Sequence, residues 1–115
     1  MKIYFSENSD PMLLSTRKSL EKIGNRILEF SESPENELTI KAETNGSPEP
    51  YAELLPGIRI RKSETDHTLY FGSDRYLELE ISKADLQAFC ATFSLKETSH
   101  RHWYSGPISL IIEAA

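Results

Sequence analysis

The segment from Tyr76 to Phe93 constrains the fold most, because it carries a strand, a helix start and a helix with almost no chain between them. In Tyr76-Leu77-Glu78-Leu79-Glu80-Ile81 apolar and charged side chains alternate, which puts Leu77, Leu79 and Ile81 on a core face and Glu78 and Glu80 toward water. Ser82 stands at an N-cap position, Asp85 follows three residues later to answer the free amides, and Ile81 can staple onto Leu86. Leu86, Phe89, Cys90 and Phe93 then recur at helical spacing, giving one apolar stripe to lay on a sheet. The expected class is α+β.

The rest of the chain supplies strands for that sheet. Lys2 to Phe5 reads as a first strand. Asp10 before Pro11 reads as an N-cap followed by proline at the first helical position, with Leu13, Thr16, Leu20 and Ile23 on one face and Gly24 as the stop, so a helix is expected over 11 to 23. Leu28 and Phe30 alternate with Glu29, and Leu38, Ile40 and Ala42 alternate with Thr39 and Lys41, so a hairpin with a polar tip at 31 to 36 is expected. From Glu43 to Gly57, Pro48, Pro50, Pro56 and Asn45-Gly46 oppose both a long helix and a central strand and predict a loop. Ile58 with Ile60, and Leu69 with Phe71, form strands that pair with the one ending at Ile81. Ile108 to Ile112 is apolar at nearly every position, as in a strand covered on more than one side. The expectation is a mostly antiparallel sheet of about six to seven strands with two helices packed on it, in a single domain over 1 to 115.

Eighteen acidic against thirteen basic side chains give a net charge of −5, which opposes general nucleic-acid binding, since phosphate neutralisation needs clustered Lys and Arg. No apolar run approaches the roughly 18 residues of a membrane span, and the opening residues lack a signal peptide's apolar stretch, so a cytoplasmic protein without membrane association is expected. Cys90, the single cysteine, has no internal disulfide partner and reads as a small buried core residue.

Catalytic signatures are weak. No nucleophile elbow or Gly-rich phosphate loop is present, and the glycines stand singly at expected element ends. Glu78 and Glu80 could be a carboxylate pair, but Arg59 and Arg61 on a neighbouring strand make them an ordinary cross-strand charge ladder. His100 and His102 would leave one face of a strand, a spacing that metal sites use, with Trp103 on the other side. Two nitrogens do not complete a site, and His67 with Asp66 are the nearest further ligands. The favoured reading has no metal and no cofactor. Charge placement is more informative: Glu32, Glu35, Glu37, Glu43, Glu49 and Glu53 stand against Lys41 alone between Ser31 and Glu53. Together with Tyr51 and Leu54-Leu55 they could present an anionic surface with apolar anchors to a basic protein.

The order of the pieces resembles the bacterial immunity protein family 32: the opening Met1-Lys2-Ile3-Tyr4-Phe5-Ser6-Glu7-Asn8, a following helix, Pro56-Gly57-Ile58-Arg59-Ile60-Arg61, the Leu77 to Ile81 strand with its helix, and a closing His100-x-His102-Trp103-Tyr104. The resemblance covers nearly the whole chain. It implies a small cytoplasmic, non-enzymatic bacterial protein that binds and neutralises the cognate domain of a polymorphic toxin. On that reading the expected partner is a toxin with a basic surface, and the chain is a monomer or weak homodimer. Tyr51, Trp103 and Tyr104 are the candidate aromatic anchors, Glu43, Glu49 and Glu53 the steering charges, and His100 and His102 polar contacts. The alternatives are a small-ligand or metal-binding regulatory module using the His100 and His102 segment, and a dimer joined through an edge strand at Ile108 to Ile112.

Overall fold

The computed structural model describes residues 1–64, 68–96, 98–105 and 108–115, with the side chains of Tyr104 and Ser105 left aside. Among these residues the chain runs β1 (Lys2–Phe5), β2 (Met12–Ser15), α1 (Arg17–Glu32), β3 (Glu37–Lys41), β4 (Glu53–Leu55), β5 (Gly57–Lys62), β6 (Thr68–Phe71), β7 (Leu77–Ile81), α2 (Lys83–Ala91), β8 (His100–Ser105) and β9 (Ile108–Ala114). This is an α+β fold with more strands than expected, divided between two sheets. One sheet has the order β4-β1-β2-β9-β8 and the other β3-β5-β7-β6. Each is antiparallel except for one central parallel pair, β2 with β9 and β5 with β7. The strands expected at Ile58, Leu69 and Leu77 do pair, with β7 between β5 and β6.

Both sheets and both helices contribute to one apolar cluster. From the five-stranded sheet come Ile3, Leu13, Leu55, Leu110 and Ile112, and from the four-stranded sheet Ile40, Ile58, Ile60, Leu77 and Leu79. Leu20, Ile27, Leu86 and Phe89 reach it from the helices and are fully buried. Side chains of this kind contribute roughly 1.5–3 kcal/mol each on full burial.

The first helix corrects the expectation for 11 to 23. Residues Met12–Ser15 form β2 instead, and the helix starts at Arg17 with Thr16 as N-cap, its hydroxyl accepting from the Ser19 amide at 3.2 Å. Asp10 caps no helix: its carboxylate accepts from the Ser109 amide at 3.2 Å and hydroxyl at 2.8 Å, tying the start of β2 to β9. The Pro11 carbonyl accepts from the Ile111 amide at 2.9 Å. Leu28 and Phe30, expected in a strand, belong to α1, because the apolar spacing of Leu20, Ile23, Ile27 and Phe30 runs on through Gly24.

Gly24 is no stop but a point of close approach: a Cβ there would lie 3.1 Å from Phe93 Cβ and 3.4 Å from the Cys90 carbonyl. Glycine lets α1 settle against α2. The second helix follows the sequence closely, with Ser82 as N-cap accepting from the Asp85 amide at 3.2 Å. The loop expected from Glu43 to Gly57 is interrupted by β4, a three-residue edge strand on β1, and Gly57 already belongs to β5. The strand at Ile108 is not an edge. It lies between β2 and β8, so it has no free edge through which to join a second copy.

Candidate functional site: the outer face of the five-stranded sheet

Alternation along each strand leaves one face of the five-stranded sheet outside the apolar cluster. Ile3, Leu13, Leu55 and Ile112 point inward, so their neighbours point out. On that outer face Leu54, Tyr4, Met12, Ile111 and His102 are successive register partners, one from each strand. At the usual spacing of about 4.8 Å between strands, this row is roughly 19 Å long. Beside it runs a second row, Lys2, Leu14, Glu113 and His100. Tyr4, Met12, Leu14, Leu54 and Ile111 are half-buried, and His100 and His102 are exposed.

The loop after β3 folds over the β1 end of this face. The Glu43 amide donates to the Met1 carbonyl at 2.9 Å, and the Ala52 amide donates to the Phe5 carbonyl at 3.1 Å, so the intervening residues pass alongside β1. Gly46, at φ 88, takes a left-handed turn beside Lys2, where an added Cβ would lie 2.9 Å from the ammonium. Tyr51 is laid across the sheet: its ring is 5.4 Å from that of Tyr4, and its hydroxyl is 3.7 Å from the Met12 sulfur. Tyr4, Tyr51 and Met12 thus make an aromatic and thioether cluster, chemistry that protein interfaces favour.

The expected site residues are distributed as follows. Tyr51, His100 and His102 share the outer face, although the histidines lie on the strand edge far from Tyr51. The two imidazoles are 5.5 Å apart, edge to face. Trp103, the residue after His102 on the strand, turns to the opposite side, and its ring is 5.3 Å from Phe89 of the core. Tyr104 lies in β8 with Ser109 as its register partner. Glu43 is 3.4 Å from the N-terminal ammonium, Glu49 is exposed, and Glu53 pairs with Arg75. The acidic block therefore does not gather on one surface. Glu37 in particular faces Arg59 and Arg61 on the other sheet, at 3.7 and 3.6 Å.

That other sheet holds the charge ladder foreseen in the sequence, with one correction. Arg59 is the register partner of Glu78 and Arg61 of Glu80, but Glu78 is not solvated: it is 3% exposed. Its carboxylate accepts from Arg59 at 3.2 Å and pairs with Arg61 at 2.8 Å. Arg59 also bonds Asp74 through both carboxylate oxygens and lies 4.1 Å over the Tyr76 ring. The Arg59 hydrogen bond holds the Asp74 carboxyl below its ordinary range, and the same bond, helped by Glu78, raises Arg59. Glu37, Asp74 and Glu78 each hold an arginine, and Glu80 accepts from the Thr68 and Tyr70 hydroxyls at 3.4 Å, the pattern of a structural charge network.

Cys90 also departs from the fully buried reading. It lies half-buried at the margin of the core, and desolvation pushes its thiol pKa up, so it is a poor nucleophile at neutral pH. Among the described residues no three His, Cys, Asp or Glu side chains gather to hold a metal ion, and His67 and Asp66 lie outside those residues. No described helix is long and apolar enough to cross a membrane.

Sequence reasoning missed Tyr4, Met12, Leu14 and Ile111, and singled out Leu54 as an apolar anchor beside Tyr51. The signal was present in Lys2 to Phe5, where Ile3 inward leaves Tyr4 outward, and in the three consecutive apolar residues Leu110 to Ile112 of β9, which cannot all face one side. The chain matches no family model, no curated protein and no solved structure.

Proposed function

We propose that this chain is a non-enzymatic binding protein of the immunity class, which neutralises a cognate bacterial toxin domain by covering it with the outer face of the five-stranded sheet. The observation that carries the reading is the continuous row Leu54-Tyr4-Met12-Ile111-His102, half-buried and apolar over four strands, on a face separate from the core cluster. Such a row supplies a desolvated centre with aromatic and methionine anchors, and Lys2, Glu43, Glu49, Glu113 and His100 supply a polar margin. The resemblance to immunity protein family 32 supports the toxin as the partner, and the net charge of −5 suits a basic one.

The test is protection of growth. The chain is co-expressed with a toxin domain encoded in the same locus, sought there because the resembled family implies one, and compared with the double variant Met12→Asp, Ile111→Asp. Both side chains point away from the core, so the variant is expected to fold and to lose protection. Full protection by a folded double variant would assign the toxin contact to another surface.

The paired imidazoles of His100 and His102 favour a second reading, a metal-binding or small-ligand module centred on β8. It requires further ligands, and it predicts stoichiometric metal in the purified protein together with stabilisation by added zinc.

A further inference from the structure

A cleft between the two helices opens toward the start of β8, and its two ends differ in chemistry. The inner end, about 410 Å³, is lined by Gly24, Leu28, Cys90 and Phe93 from facing turns of α1 and the end of α2. The outer end, about 500 Å³, is lined by Arg17, Lys96, His100 and Arg101. Glu21 and Ser94 line both, so the two ends are continuous. Each volume falls within the range of small-molecule sites, and helix junctions are frequent places for them.

The outer end is positive in a protein that is otherwise acidic. Among the described residues that line it, Arg17, Lys96 and Arg101 face one carboxylate, Glu21, which is 3.8 Å from Arg17. The Arg101 guanidinium donates to the Ala91 carbonyl at 3.4 Å, which fixes it at the mouth of the cleft beside the end of α2. No acidic side chain in the first turn of α1 offsets the free amides there, and these add to the positive potential. The inner end adds an apolar strip in which Leu28 is exposed, Cys90 half-buried and Phe93 buried, flanked by the exposed polar side chains Asn25 and Gln87.

We propose that this cleft binds a single-chain amphiphilic carboxylate, with the carboxylate held by Arg17, Lys96 and Arg101 and the alkyl chain lying between Leu28, Cys90 and Phe93. Charge complementarity selects the anionic head, and the continuity of the two ends selects a molecule with one apolar chain. His100 borders both this cleft and the proposed toxin-binding face, but Lys96, Arg101, Leu28 and Cys90 are not among the residues assigned to that face.

Calorimetric titration with dodecanoate, below its micellar concentration, tests the proposal. Acetate tests the head alone, and dodecyltrimethylammonium tests the chain with the opposite charge. One equivalent of dodecanoate is expected to bind, with acetate and the cationic amphiphile at least tenfold weaker. Lys96→Ala and Arg101→Ala are each expected to weaken dodecanoate about tenfold, in keeping with a lost charge-assisted hydrogen bond. In the unaltered protein, dodecanoate is expected to slow alkylation of Cys90 by N-ethylmaleimide. Equal binding of the cationic amphiphile, unchanged affinity in both variants, or a Cys90 alkylation rate indifferent to dodecanoate would each overturn it.

Discussion

Glu78 shows how strongly one residue's environment depends on contacts the sequence does not display. Alternation places it on the outer side of β7, and that placement is right, yet Arg59, Arg61 and the β6–β7 turn close over it until it is 3% exposed. A carboxylate in that position is stable only because two guanidinium groups share it. Glu78→Gln removes the shared charge and leaves the two arginines facing one another, and it is expected to cost about 2 kcal/mol, read by urea unfolding. Asp74 offers a pH signature of the same network. Its folded pKa is depressed, chiefly by the Arg59 hydrogen bond, so its contribution is present above the ordinary carboxyl range and is lost as pH falls through the folded value. Asp74→Asn is therefore expected to flatten the acid limb of the stability curve below about pH 4, with little change in slope near neutrality. An acid limb identical in wild type and variant would remove Asp74 from the network.

Elements marked by local chemistry were legible, and those decided by distant contacts were not. The N-cap at Ser82 and the alternation in β5, β6 and β7 act within a few residues, and each was readable from the chain. The first helix was misread because Asp10-Pro11 imitates a helix start and Gly24 imitates a stop. Asp10 is claimed by Ser109, 99 residues away, and Gly24 by the approach of Phe93. A helix propensity scale favours Gly24→Ala by roughly 1 kcal/mol. The new methyl would press on Phe93, which is fully buried and stacked edge to face on Phe89 at 5.3 Å, so repacking outweighs the gain. The expected outcome is a net loss of about 1 kcal/mol in thermal or denaturant unfolding. The short strand β4 escaped notice because three residues among prolines carry too little alternation to read.

At the scale of the whole molecule, the division into two sheets follows from two parallel pairs, β2 with β9 and β5 with β7, whose partners are not chain neighbours. No local pattern encodes that choice, and the outer face of the five-stranded sheet, the surface proposed for binding, depends on it. Tyr51, His100 and His102, which the sequence singles out because aromatic and histidine residues stand out singly, lie on this face. Met12 and Ile111 were not singled out, because an apolar residue on a strand reads as core until the sheet's other side is known to be uncovered. Charge acts at this scale as well. On the proposed reading, the net −5 would steer a basic partner from a distance, and the apolar row would hold it on contact. Reversing Glu43 and Glu49 to lysine is accordingly expected to slow association several-fold at low salt and flatten its salt dependence, leaving dissociation nearly unchanged.

The most direct test is the dissociation rate of the purified complex with the toxin domain, measured by surface plasmon resonance for wild type and for Met12→Asp, Ile111→Asp. The account predicts that the double variant keeps its fold and dissociates at least a hundredfold faster, or no longer binds, as expected when central anchors are replaced by unpaired charge. An unchanged dissociation rate in a correctly folded variant would contradict it.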